Sequence, residues 1–189
     1  MIKTVDTNDV LRILEDGTWK VIDIRSADAY NGWTLDNENR GGHIPGAKSL
    51  PAKWLNYIDW IEVVNKKNIK PSDKLVIYGT NQDDISRAAT RFVKSGFNSV
   101  YTYSKFLEEW IMNPELPMDY LPRYQNLVPA KWVRSLISGE IPMLYNNSRY
   151  IVIHAHYRNR EAYLSGHIPG AIDMDTLALE APETWNRRD

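Results

Sequence analysis

The chain has 189 residues and no cysteine. Disulfides, thiolate metal sites and thiol nucleophiles are therefore excluded within it. It also lacks an excess of either charge, with a net charge of −1, which argues against a nucleic-acid face or a polybasic membrane surface. No run approaches the roughly 20 apolar residues of a membrane span. The start, MIKTVDTNDVLRIL, has no basic stretch followed by an apolar one, so a signal peptide is not expected there, and the sequence points to no one compartment. What is present is ordinary for a globular protein, at 43% apolar and 25% charged residues, with tryptophan frequent at seven.

Strand-like and helix-like stretches alternate. DTNDVLRILEDG reads as an amphipathic helix with Asp6, Thr7 or Asn8 as cap and Gly17 as its end. Trp19 to Ile24 suits a buried strand, and SADAYNG one or two helical turns. PAKWLNYIDWIEVV reads as one helix started by Pro51, with Trp54, Leu55, Ile58, Ile61 and Val63 as its apolar side. KLVIYG (74–79) is the clearest strand and DISRAATRFVKSGF the clearest helix, ending at Gly96. SVYTY (99–103) and SKFLEEWI follow as strand and helix. This alternation predicts an α/β fold with a mainly parallel sheet. PELPMDYLP, with three prolines, is the expected linker, and a helix in NLVPAKWVRSLISGE and a strand at 150–156 come after it.

A repeat divides the chain. GGHIPGA (41–47) and SGHIPGA (165–171) share GHIPGA, with His43 and His167 lying 124 residues apart. Each copy follows a helix, a strand and a helical turn, so the chain holds one unit of about 120 residues and the opening of a second. GHIPGA itself reads as a tight turn, in which proline fixes φ, glycine allows unusual backbone angles and the histidine bonds local backbone.

The order VIDIR, Tyr30, GGHIPGA, KLVIYG, a loop, RAA and GF–VYTY resembles the rhodanese (sulfurtransferase) family. YIVIHAH, EAYLSGHIPGAIDMDT and LEAPETWNRRD resemble the start of another such domain. The resemblance implies a complete rhodanese-like α/β domain over 1–122, with a central parallel sheet flanked by helices, and the N-terminal part of a second over 123–189. In that family a cysteine at the end of the central strand carries a persulfide, and helix-start amides with an arginine hold the anionic sulfur. Placed on this chain, Gly79 stands at the cysteine position, Asp84 where an arginine is common and Ile85 where a small serine is common. Asp23, Arg25 and His43 match structural positions, as does His167 in the second copy, where His154 and His156 replace the Asp and Arg. The first copy also carries extra residues within NGWTLDNENRG, ahead of its GHIPGA.

The loop Gly79, Thr80, Asn81, Gln82, Asp83, Asp84, Ile85 is thus expected to be degenerate, with no catalytic residue. Asp83 and Asp84 would serve as helix caps and repel an incoming thiosulfate or persulfide. A hydroxyl nucleophile at Thr80 or Ser86 has no base nearby in sequence, and Asp84 as a reacting carboxylate has no other support. His154 and His156, alternating on a strand, are weak metal candidates with His167 as a third ligand. No cofactor is implied. The resemblance makes the parent a thiosulfate or persulfide sulfurtransferase, with this chain a non-catalytic module. Its expected partners are further rhodanese domains of the same protein or another copy in a homo-oligomer, and neither nucleic acid nor a membrane. The alternatives are a binding module without an enzymatic parent and a histidine-based metal-binding protein.

Overall fold

The computed structural model describes residues 2–35, 38–147 and 149–180. Of the terminal stretch LEAPETWNRRD, only Leu179 and Glu180 fall among them. The chain divides into a first unit, 1–129, and a second, 130–189.

The first unit is built on β1 (Lys3–Thr4), β2 (Lys20–Asp23), β3 (Lys48–Ser49), β4 (Lys74–Tyr78) and β5 (Ser99–Tyr103), all parallel in the order β1-β5-β4-β2-β3. β4 is central, and Leu75, Val76, Ile77 and Tyr78 are fully buried, as a strand covered on both faces must be. One face packs on α3 (Trp60–Lys66) and α4 (Gln82–Lys94) through Ile22, Ile77, Trp60, Ile85 and Phe92. The other packs on α1 (Thr7–Asp16) and a π-helical turn, Phe106–Trp110, through Val10, Ile13, Tyr78, Tyr103 and Trp110. α1 has Asp6 as N-cap in a capping box with Asp9, and Gly17 closes it at φ 66°; the short α2 (Ala27–Asn31), capped by Ser26, follows β2.

Two sequence expectations change. PAKWLNYIDWIEVV is not one helix but a 3-10 turn, Ala52–Asn56, followed by α3. Tyr57 breaks it with extended backbone, which turns Ile58 fully to solvent and leaves Leu55, Trp60 and Val64 as the buried side chains. The proline-rich stretch is docked rather than free: His43 and Asp119 form an antiparallel bridge, and the Leu121 amide donates to the Asn31 carbonyl. Beyond it, the Trp33 indole donates to the Leu127 carbonyl at 2.9 Å, which ties the chain as far as residue 127 to the first unit.

The second unit contains α5 (Ala130–Ile137), β6 (Ile153–His156), α6 (Arg160–Ser165) and β7 (Ile172–Asp175), with β6 and β7 parallel in a two-stranded sheet. Among its described residues, the buried hydrophobic side chains are Leu136 and Ala171. No helix among the described residues is long and apolar enough to cross a membrane.

Candidate functional site: a closed strand–loop–helix cradle

The C-terminal end of β4 is where an open parallel sheet places its chemistry. Gly79 and Thr80 leave the strand, Asn81 caps α4, and Gln82 to Ile85 already form the first helical turn. The Asn81 carboxamide oxygen accepts the Asp84 amide at 3.0 Å. The cap is therefore Asn81, not Asp83 or Asp84 as expected from sequence. The acids occupy the first turn, where they complement the helix dipole. Asp84 also pairs with Arg87 at 2.9 Å, so this arginine of α4 is held by a carboxylate. Thr80, Asn81, Gln82 and Asp83 are exposed, and the Ser86 hydroxyl donates back to the Gln82 carbonyl.

Under the loop the cradle is filled with hydrocarbon. Ile85 is buried, and a Cβ placed on Gly79 would stand 2.8 Å from Ile24 Cγ1 and 3.6 Å from Ile85 Cγ1. Gly79 thus lacks a side chain, and the space that a side chain would enter is taken by Ile24. Sequence reasoning expects no nucleophile at this position and does not foresee this obstruction.

Beside the loop lies a buried ionic knot. Arg25 donates to Asp23 at 2.7 Å and to Glu38 at 2.9 Å, and also to the Gly42 carbonyl. Its guanidinium lies 4.4 Å from the centre of the Phe106 ring. Burial alone would lower the Arg25 pKa, but the Coulombic pull and hydrogen bonds of Asp23, aided by Glu38, hold it well above its ordinary value. The Tyr78 hydroxyl donates to Asp23 at 2.7 Å and accepts the Ile44 amide at 3.0 Å, which joins β2, β4 and the GHIPGA turn. Burial first and the Asp23 charge second push the Tyr78 phenol well above its usual pKa. Glu38 comes from the extra residues before the first GHIPGA, and so does Arg40, whose guanidinium binds the Trp110, Ile111, Asn113 and Leu116 carbonyls. Sequence reasoning missed both roles. The only signal was a run of charged residues in an insertion, with nothing to mark which of them is buried.

His43 and His167 do the same structural work. His43 Nδ1 lies 2.7 Å from the Tyr30 carbonyl and His167 Nδ1 2.9 Å from the Tyr163 carbonyl, so in each ring Nδ1 is the donor. Each ring stacks on that tyrosine, at 3.7 Å for His43 and 3.9 Å for His167. The tyrosine hydroxyls in turn donate to the Ala47 and Ala171 carbonyls.

His154 and His156 share one side of β6, with ring centres 6.3 Å apart. His156 Nε2 is 2.8 Å from Asp173 and Nδ1 accepts the Asn159 amide at 3.3 Å, so both of its nitrogens are engaged. Arg160 holds the other Asp173 oxygen at 2.9 Å. Desolvation pushes the Asp173 carboxyl up, but the hydrogen bonds from His156 and Arg160 outweigh it and hold the group below its usual range. Among the described residues no group of three or more His, Cys, Asp or Glu is arranged to hold a metal ion.

Comparison with known proteins places this geometry. The family model described as "Rhodanese-like domain" matches residues 6–113. Thiosulfate sulfurtransferase YnjE of Escherichia coli (strain K12) is 29% identical over 177 residues, which are 92% of this chain and 39% of that protein. A structure described as the anaerobic ergothioneine biosynthesis enzyme from Chlorobium limicola, in complex with its natural substrate trimethyl histidine, is 54% identical with a TM-score of 0.88. It is matched over 100% of this chain and 44% of its own. A structure of an EanB variant with ergothioneine covalently linked to a cysteine persulfide is 55% identical, with a TM-score of 0.87, over 99% of this chain and 44% of that one. The chain spans less than half the length of each of these relatives.

Proposed function

Since the chain belongs to the rhodanese-like domain family, we propose that it is the non-catalytic leading part of a longer sulfurtransferase whose reactive cysteine lies in another part of the polypeptide. The observation that carries this reading is the cradle after β4, which has the family's scaffold but Gly79 in place of a nucleophile, and Ile24 in the space a side chain would need. The cation that would hold an anionic sulfur is spent as well, because Arg87 is paired with Asp84 and Arg25 is sealed among Asp23, Glu38 and Phe106. The first unit then serves as a rigid support, with its ionic knot fixing the loop end of the sheet.

For the whole protein we propose transfer of a sulfane sulfur from a cysteine persulfide. The acceptor attacks the outer sulfur and the S–S bond breaks to leave a cysteine thiolate; a ring-carbon acceptor gives up its proton, with net transfer to a ring nitrogen, as the thione forms. The acceptor we assign is an imidazole betaine of the trimethylhistidine kind. The relatives at 54–55% identity are described with such a ligand or its sulfur-bearing product, whereas the thiosulfate enzyme stands at 29%. The test compares the product of the full reading frame with residues 1–189, each given a sulfane-sulfur donor and either trimethylhistidine or cyanide. The reading expects a thione product from the full-length protein and neither product from residues 1–189. A full-length protein that forms no sulfur-bearing product, or that contains no cysteine, overturns it in favour of a binding module without an enzymatic parent.

A further inference from the structure

The cradle at the start of α4 is closed, but a second concavity lies along the same helix. Between α4 and the 3-10 turn Ala52–Asn56 is a cavity of about 380 Å³. Both walls belong to the first unit, and no residue of the loop 79–85 lines it. Leu55 and Asn56 form one wall, and Arg87, Thr90, Arg91 and Lys94 of α4 form the other. A cavity of this size falls at the lower end of the usual range for small-molecule sites, about 300–1,000 Å³.

Its charge is of one sign. Arg87 and Arg91 stand four residues apart and Arg91 and Lys94 three, so all three cations share a helix face. Like charges so placed repel one another. Arg87 is committed to Asp84 at 2.9 Å. Among the described residues, neither Arg91 nor Lys94 has an ion-pair partner. The helix dipole favours cations in the last turn, where both stand, but it does not require them to line a cavity.

Arg91 is also held in place with most of its donors unused. Its guanidinium lies 4.9 Å from the centre of the Trp60 ring, and that tryptophan is buried in the core. Its Nη2 donates to the Tyr57 carbonyl at 3.1 Å. Its Nε is buried without an acceptor among the described residues. A guanidinium fixed by an aromatic ring and one carbonyl loses little freedom when an anion binds, because it is already oriented.

We propose that this cavity binds a small phosphate monoester. The dianionic phosphate matches the two uncompensated charges of Arg91 and Lys94. Its terminal oxygens accept from the guanidinium fork, the ammonium and the Thr90 hydroxyl. The organic body of the ester occupies the remaining space against Leu55 and Asn56. The site is separate from the strand–loop–helix cradle and does not depend on sulfur transfer.

An NMR titration of residues 1–189 tests this, with ribose 5-phosphate as the probe and ribose and inorganic phosphate beside it. Ribose 5-phosphate is expected to bind with a Kd of about 1 mM or below and to shift the amides of residues 55–57 and 86–94. Inorganic phosphate is expected to bind at the same amides at least about fivefold more weakly, and ribose not at all. Lys94→Gln, at an exposed side chain, should weaken ribose 5-phosphate about three- to tenfold, and Arg91→Gln about tenfold or more. Arg12→Gln, on α1 across the sheet, should leave binding unchanged. A thermal melt checks that Arg91→Gln, which also loses its contact with Trp60, stays folded, and Lys94→Gln carries the test without it. No saturable shift from ribose 5-phosphate, or shifts centred elsewhere, overturns the inference. Equal weakening by Lys94→Gln and Arg12→Gln does so too, since the attraction would then be diffuse. Inorganic phosphate binding as tightly as the ester removes the organic body from the proposal and overturns it as stated. A phosphoserine peptide that binds more tightly than ribose 5-phosphate overturns it in favour of a phosphorylated protein.

Discussion

The two units share one turn and differ in what surrounds it. Around GHIPGA, the stacked histidine, its carbonyl partner and the tyrosine hydroxyl on the alanine carbonyl recur, with the matching hydrogen bonds agreeing to within about half an ångström. Gly46 and Gly170 both sit at positive φ, 74° and 79°, which L side chains rarely adopt. Beyond the turn, the first unit has a five-stranded sheet with a core on each face, and it buries an Asp–Arg–Glu knot. The second has two strands among its described residues, and its counterpart of the knot is a half-exposed His156–Asp173–Arg160 cluster. Local sequence therefore suffices to make the turn, whereas burial of the charged residues beside it needs the neighbouring strand and helices. A permanent cation can be sealed in only where carboxylates and a complete sheet enclose it.

This contrast is broken most strongly at its charged residues. Arg25→Ala strands Asp23 and Glu38 without a partner and is expected to cost the first unit about 3–5 kcal/mol in denaturant unfolding. His156→Ala at the matching place is expected to cost only about 1 kcal/mol. Equal losses would mean that the second unit is as enclosed as the first. Next in size, Gly79→Cys introduces the thiol that the proposed function finds missing here but drives Cβ toward Ile24, at an expected cost of about 1–3 kcal/mol and with no sulfur transfer. Adding Ile24→Ala should relieve much of the strain, and thermal melts of the single and double variants would show it.

Smaller effects sharpen the likeness. Tyr30→Phe and Tyr163→Phe each remove one hydroxyl bonded to an alanine carbonyl and should each cost about 1 kcal/mol, read as a shift in denaturant midpoint. The smallest effect is in acid. The Asp173 and Asp175 carboxyls are held below their ordinary value of 3.8, so their contribution is present above that pH and is lost as pH falls through the lower folded-state values. Signals from β6 and β7 should broaden in an NMR titration only as the pH falls below the ordinary carboxyl value of 3.8. Broadening that begins near neutral pH would point to another group.

Much of this architecture is legible in the residues. The run LVIY predicts a central strand because such residues are buried on both faces, and the repeat predicts the second turn down to its histidine. Gly79 as a position without a nucleophile needs only the missing side chain. Three features are not legible. The break at Tyr57 depends on tertiary packing that overrides helical periodicity. Asn81 takes the cap because it stands one residue ahead of the first turn, and two acids just behind it compete on composition alone. Ile24 closes the cradle from a strand far away in sequence, and no local pattern reports such a contact.

Sulfur loading tests the central claim, that the first unit keeps the scaffold without the chemistry. Purified residues 1–189 are incubated with excess thiosulfate, examined by intact mass, and then given cyanide. The account predicts no sulfur adduct and thiocyanate at the uncatalysed rate. A sulfur adduct on the chain, or thiocyanate formed with turnover, would contradict it.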